Sequence, residues 1–278
     1  MQIALNLIDG PDINMNLTTQ QLAQALFDQH AARTPFSSLR PADGALSTAA
    51  AYDVQDELVA LLCKKRNVDV VGYKIGLTST AMQTMCGIDK PVFGRILSDQ
   101  VYLSGARVNL DRYVHLGLEF EIAVKLGSDV VTHGSPVSVA DIAACTAAVC
   151  PALELVDDRH AEYSTLDACS LIADNAWNGG VVLGEWQPLP DESIIQQGRV
   201  FPQGQPADIG AVDYRHVLAS VAWLAEELAA RGSRLHAGDI IMTGSVVRTA
   251  FPVDGEFWRY EVDGLGTNCV NCVSEARQ

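Results

Sequence analysis

The chain has 278 residues, with 19 Lys and Arg against 34 Asp and Glu, a formal charge of −15 and a pI near 4.6. Nucleic-acid binding replaces phosphate counterions with Lys and Arg, and here the basic residues form no block or stripe, which argues against a nucleic-acid partner and, on the same ground, against an anionic membrane surface. Hydrophobic residues at 48% and charged residues at 19% suffice for a full core, so one large domain or two intimately joined ones are expected.

The opening MQIALNLIDGPDINMN has no basic n-region and meets acids and a proline early, so it does not read as a secretory signal peptide. Residues Thr18 to Arg33 place Leu22, Ala25, Leu26 and Ala32 at near-helical spacing behind Thr18 and Thr19 as N-caps. A loop follows from Thr34 to Gly44. Ser47 opens a second helix carrying Tyr52, Leu58, Val59 and Leu62 and ending on Lys64, Lys65 and Arg66, charges that suit the helix macrodipole. From Val68 the texture changes to short β-like runs between Gly, Pro and Asp: VDVVGYKIGL, RVNLDRYV, LEFEIAVKL, GVVLGEW, GDIIMTGSVV and WRYEVDGLG. Two helices interrupt them, one over Ser138–Cys150 with Ser138 and Asp141 as a capping pair, one over Arg215–Arg231 with Gly232 as C-cap. The apolar stretch Ile142 to Val156 is too short for a membrane span and is broken by Pro151 and Glu154. Without regular strand–helix alternation the fold class is α+β, a mixed β-core flanked by helices. Residues 1–67 form an N-terminal helical region and 68–278 the β-rich catalytic core of one compact unit.

Chemistry is concentrated in a few places. In Leu118-Glu119-Phe120-Glu121-Ile122, strand alternation puts Glu119 and Glu121 on one face, where two carboxylates must reach solvent or share a cation. Glu154 lies among apolar neighbours in Pro151–Arg159 and is either turned outward or buried with a partner. If the two strands are neighbours, the three acids supply the oxygen donors that a hard cation such as Mg²⁺ or Mn²⁺ prefers. Lys74, bracketed by Gly72 and Gly76 in an apolar strand, is either an outward strand residue or an acid/base or carboxylate-anchoring lysine. His115 precedes the acid pair by four residues, near the pair or in a loop. The seven cysteines, Cys63, Cys86, Cys145, Cys150, Cys169, Cys269 and Cys272, are odd in number and irregularly spaced, which points to a reducing cytoplasm, and the lone Cys269/Cys272 CxxC reads as structural. Walker A, GxGxxG, GxSxG and HExxH patterns do not occur.

At these residues the sequence resembles the 2-keto-4-pentenoate hydratase/4-oxalocrotonate decarboxylase family of the fumarylacetoacetate hydrolase superfamily. The resemblance runs through AYDVQ at Ala51–Gln55, GYKIGLTSTAMQ at Gly72–Gln83, EFEIAV at Glu119–Val124, PALELVDDR at Pro151–Arg159, IADNA at Ile172–Ala176, VAWLAEELA at Val221–Ala229 and AGDIIMTGS at Ala237–Ser245. It implies a mixed β-roll with Mg²⁺ or Mn²⁺ held by Glu119, Glu121 and Glu154, with Lys74 as the active-site lysine. It also implies small 2-oxo or 2-hydroxydienoic acid substrates from aromatic meta-cleavage, a homo-oligomer, and association with another enzyme of the pathway. Three positions depart from the family pattern. Val92 stands where hydratases carry Asp in P-D-F-G, Trp177 follows the Asp-Asn-Ala run and would reshape or partly fill the pocket, and Leu116-Gly117 replaces a Pro-basic dipeptide.

The leading expectation is a metal-dependent hydratase that adds water to a 2-hydroxy-2,4-dienoate, the Ile after Lys74 being the hydratase choice. The alternative is decarboxylation of 2-oxohex-3-enedioate, which Val92 favours. A catalytically weakened assembly subunit is the third reading, and retention of Lys74 and the three glutamates argues against it.

Overall fold

The computed structural model of the protein describes residues 17–39, 46–132, 136–191 and 193–275. The opening sixteen residues and the 40–44 part of the expected first loop lie outside that range. Helix α1 (Thr19–Ala32) begins where the Thr18 hydroxyl accepts the Gln21 N–H and the Gln21 side chain accepts the Thr18 N–H, a complete capping box. Helix α2 (Thr48–Arg66) is capped by Ser47 and stops at Asn67, in the left-handed region. Both helices agree with the sequence reading.

The remaining elements are β1 (Val70–Gly76), α3 (Thr80–Met85), β2 (Val92–Leu97), β3 (Val101–Leu103), β4 (Ala106–Asn109), β5 (Leu116–Leu126), α4 (Val139–Cys145), β6 (Thr146–Asp157), α5 (Ala168–Ala173), β7 (Asn178–Leu183), β8 (Ile195–Pro202), β9 (Asp208–Asp213), α6 (Tyr214–Ala230), β10 (Ile240–Met242), β11 (Phe257–Val262) and β12 (Gly266–Val273). They form a seven-stranded mixed sheet in the order β2-β1-β10-β5-β6-β7-β3 and a five-stranded sheet in the order β4-β12-β11-β8-β9. The α+β assignment holds. Phe120 of β5 packs against Trp258 and Tyr260 of β11, with ring centroids 5.9 and 5.7 Å away, so Leu118, Phe120 and Ile122 enter the main core. The opposite face of β5 is left for its glutamates.

The helix expected over Ser138–Cys150 is half the expected length. Ser138 and Asp141 do form the capping box, but α4 ends at Cys145 and the next twelve residues are strand. Ladder pairing of β6 with β5 outweighs the helical preference of Ala147 and Ala148. Pro151 sits inside this central strand. Its carbonyl accepts the Gly184 N–H just beyond the end of β7, and in an antiparallel strand the nitrogen points to the same side, so the missing donor falls where the ladder has already stopped. Two other expected strands are curtailed. RVNLDRYV pairs only as far as Asn109 before a 3₁₀ turn, and GDIIMTGSVV leaves the sheet after Met242.

Helix α2 lies against β2 and α5. The Gln55 side-chain amide donates to the Phe93 and Ile172 carbonyls at 2.9 and 2.7 Å, and the Tyr52 hydroxyl accepts the Phe93 N–H at 3.1 Å. No helix among the described residues is long and apolar enough to cross a membrane.

Candidate metal centre

Strands β5 and β6 pair in a register that sets Glu119 directly opposite Glu154, with Glu121 one same-face step along β5. Spacing alone left the adjacency of these strands open; the ladder settles it. One ligand oxygen from each of the three carboxylates lies within 4.8 Å of the others. Two are held from the segment after β10 and one from β7: Thr249 Oγ1 donates to Glu119 at 2.8 Å, the Gly244 N–H to Glu121 at 2.8 Å, and Asn178 Nδ2 to Glu154 at 3.0 Å. Gly244 makes its bond at a φ of 104°, where its missing Cβ also makes room for Thr78.

Lys74 comes from β1, two strands from β5 and three from β6, and its ammonium lies 3.3 Å from Glu154 Oε1. It is buried, so the outward-facing reading does not hold. Burial lowers the Lys74 pKa, but the charges of Glu154, Glu119 and Glu121 outweigh it and hold the group above its ordinary value. Burial and the neighbouring carboxylates push Glu121 well above the usual range, and burial raises Glu154 against the opposing pull of Lys74. Fully ionised, the three carboxylates and one ammonium would carry an excess of two negative charges, which this largely buried site disfavours without a cation. Glu121 Oε1 and Glu154 Oε2 have no hydrogen-bond partner. An oxygen-lined site with two orphaned acceptors and that excess charge fits a hard divalent cation.

The space beside Lys74 is shaped by Gly76 and Val92. A Cβ on Gly76 would stand 3.2 Å from Lys74 Nζ and 3.6 Å from Val92 Cγ2, so the ammonium lies close over Gly76, near a fully buried apolar side chain.

Asn178 was not singled out by the sequence reading, nor was the turn that delivers it. Asn175, Ala176 and Trp177 have φ of 52°, 48° and 59°, three consecutive left-handed residues without a glycine. Asn175 holds the turn by accepting the Arg95 N–H at 2.7 Å and donating to the Arg95 carbonyl at 2.9 Å. Asn175 tolerates the left-handed region, but Ala176 and Trp177 give no local sign of it, which is why pattern reading passes over the turn. Trp177 is buried edge-on to Phe36 and Tyr163, with centroids 5.2 and 5.9 Å away. His115 immediately precedes β5, and its Nδ1 lies 2.7 Å from Asp158. Cys269 and Cys272 are three apart on β12 and project to opposite faces, Cys269 toward Ser104 and Cys272 into the core, so they do not converge on an ion.

The model for the fumarylacetoacetate hydrolase C-terminal family matches residues 77–274, well over half the chain. The chain belongs to this family. Within it, the protein is 34% identical over 224 residues to the TodF product hydratase of Pseudomonas putida, covering 78% of this chain and 81% of that one. It is 30% identical over 226 residues to a 4-oxalocrotonate decarboxylase of Pseudomonas putida, covering 80% and 84%. The structure of 4-oxalocrotonate decarboxylase from Pseudomonas putida G7, complexed with magnesium and adipate, superposes with a TM-score of 0.84 at 27% identity, over 94% of this chain and all of that one. This family member is therefore placed in the hydratase and decarboxylase branch that its motifs resemble.

Proposed function

We propose that this family member is a metal-dependent lyase of aromatic meta-cleavage catabolism, a hydratase that adds water to a 2-hydroxy-2,4-dienoate of the 2-keto-4-pentenoate type. The observation that carries the reading is the convergence of Glu119, Glu121, Glu154 and Lys74 from three strands, with two carboxylate oxygens lacking any partner. Glu119, Glu121 and Glu154 hold Mg²⁺ or Mn²⁺, which when bound supplies Lewis-acid withdrawal of charge from the substrate's 2-oxo group. Thr249, Gly244 and Asn178 fix the orientation of the three carboxylates. Lys74, kept cationic by Glu154, anchors the substrate 1-carboxylate or moves a proton as the 2-hydroxydienoate becomes its 2-oxo tautomer. Water then adds at C4 to give a 4-hydroxy-2-oxo acid.

Val92 favours a second reading, decarboxylation of 2-oxohex-3-enedioate, because the position beside Lys74 is apolar and provides no further acid. The intact charged set opposes the third reading, a weakened assembly subunit. Incubating Mg²⁺-loaded protein with 2-hydroxypenta-2,4-dienoate and with 2-oxohex-3-enedioate, and weighing the products, tests all three. Gain of water supports the hydratase, loss of CO₂ the decarboxylase, and neither product the assembly role.

The helical region 1–67 belongs to the same compact unit as the catalytic core 68–278, a reading supported by the bonds from Tyr52 and Gln55 to β2 and α5. All seven cysteines are free, in keeping with work in a reducing cytoplasm. A homo-oligomer, and association with another pathway enzyme, are part of the same proposal.

A further inference from the structure

Along β5 the candidate site grades from buried to exposed. Glu121 and Glu154 are buried, Glu119 is half-buried, and farther toward the start of β5 the His115 side chain is 33% exposed and Phe251 is 43% exposed. A substrate whose head sits at the three carboxylates therefore extends along β5 toward Gly117. Strands advance about 3.3 Å per residue, so Gly117 lies about 7 Å beyond Glu119 on the same face, a span comparable with the tail of a short dienoic acid.

Phe251 occupies that point. The segment after Gly244 runs antiparallel to β5, Leu118 and Ala250 exchanging both backbone hydrogen bonds, so Thr249 stands opposite Glu119 and Phe251 opposite Gly117. A Cβ on Gly117 would lie 2.8 Å from Thr249 Cγ2 and 3.3 Å from Phe251 Cε1. The Phe251 ring thus rests in the space that Gly117 leaves empty. Its position is set from behind: it stacks on His115 at 4.4 Å with 9° between planes, and His115 stacks in turn on His160 at 4.2 Å. Asp158 holds His115 by Nδ1, accepts the Tyr163 hydroxyl at 3.0 Å and accepts the His160 N–H at 2.9 Å.

We propose that Phe251, braced by His115 and Asp158, is the distal wall of the substrate site and selects acids with an uncharged, apolar far end over those ending in a second carboxylate. This rests on the function proposed above and adds the substrate class to it. The charge distribution points the same way. Glu119, one same-face step along β5 from the Gly117 that Phe251 covers, repels a second carboxylate, while Asp158 is taken up by His115 and the guanidinium of Arg159 by Asp174.

The test is binding by calorimetry to the full-length, Mg²⁺-saturated protein, using 2-oxohexanoate and 2-oxoadipate, two six-carbon acids with the same head and different ends. Wild-type protein should bind 2-oxohexanoate roughly tenfold or more tighter, Phe251→Leu should keep that ratio, and Phe251→Arg should lower it by about tenfold or more. An unchanged melting temperature for Phe251→Arg shows that the ratio reports the site and not the fold. Wild-type preference for 2-oxoadipate, a ratio untouched by Phe251→Arg, or binding of neither acid would overturn the proposal. The ratio needs no turnover, so absence of product in the mass assay counts against the hydratase and decarboxylase readings while this preference is read separately.

Discussion

Glu119 is the most exposed of the three clustered carboxylates, which makes it the position where a ligand can be neutralised with least disturbance to packing. Glu119→Gln keeps an acceptor for Thr249 but removes one charge, so the expected outcome is an unchanged far-UV spectrum with Mg²⁺ affinity weaker by roughly tenfold or more, measured by titration. Equal affinity would remove Glu119 from the centre. Lys74→Met preserves the apolar stem and removes the ammonium beside Glu154, so turnover by the Mg²⁺-saturated protein should fall by about 10²-fold or more if the group moves a proton. Near-normal turnover would reduce Lys74 to a structural counter-charge. Both positions were legible in sequence because strand alternation and an apolar bracket of glycines are local patterns. Asn178 and Thr249 were not, since each acquires its role only by reaching a carboxylate on another strand.

Between β2 and β7 the left-handed turn Asn175–Trp177 stores backbone strain, and Asn175 is the residue that contains it through its two bonds to Arg95. Asn175→Ala loses both bonds, and its expected cost is about 1–3 kcal/mol in denaturant unfolding. Because Asn178 immediately follows the strained segment, Mg²⁺ affinity should weaken in the same variant. Loss of stability with full metal affinity would show that the turn does not position Asn178. The α4–β6 junction teaches the complementary lesson about elements. Ser138 and Asp141 specify where the helix starts, but nothing local marks its end at Cys145, because the stop comes from the partner strand β5.

Across the whole molecule, a buried ion network ties the N-terminal helix to the core: Asp174 is bound by His30 of α1 at 2.6 Å and by Arg159 at the end of β6. Burial would raise the Asp174 pKa, yet His30 and Arg159 prevail and hold it below its ordinary value of 3.8. The stability it contributes is present above that value and is lost as pH falls through the lower folded pKa. Asp174→Asn leaves the Arg159 charge buried and unpaired, so a loss of about 3–5 kcal/mol at neutral pH is expected, along with a shallower acid limb in the pH dependence of melting. A variant as stable as wild type, with the same acid limb, would refute this role. What the sequence by itself determined are the features with short range: the two leading helices and their caps, the α+β texture, the shared face of Glu119 and Glu121, and the motif order that marks the family. Tertiary structure alone decided that Glu154 stands opposite Glu119, that Lys74 reaches it from three strands away, and that Phe251 fills the space over Gly117. The physical reason is that register and strand order are set by burying one face of every strand at once, a condition that no segment of the chain can satisfy alone.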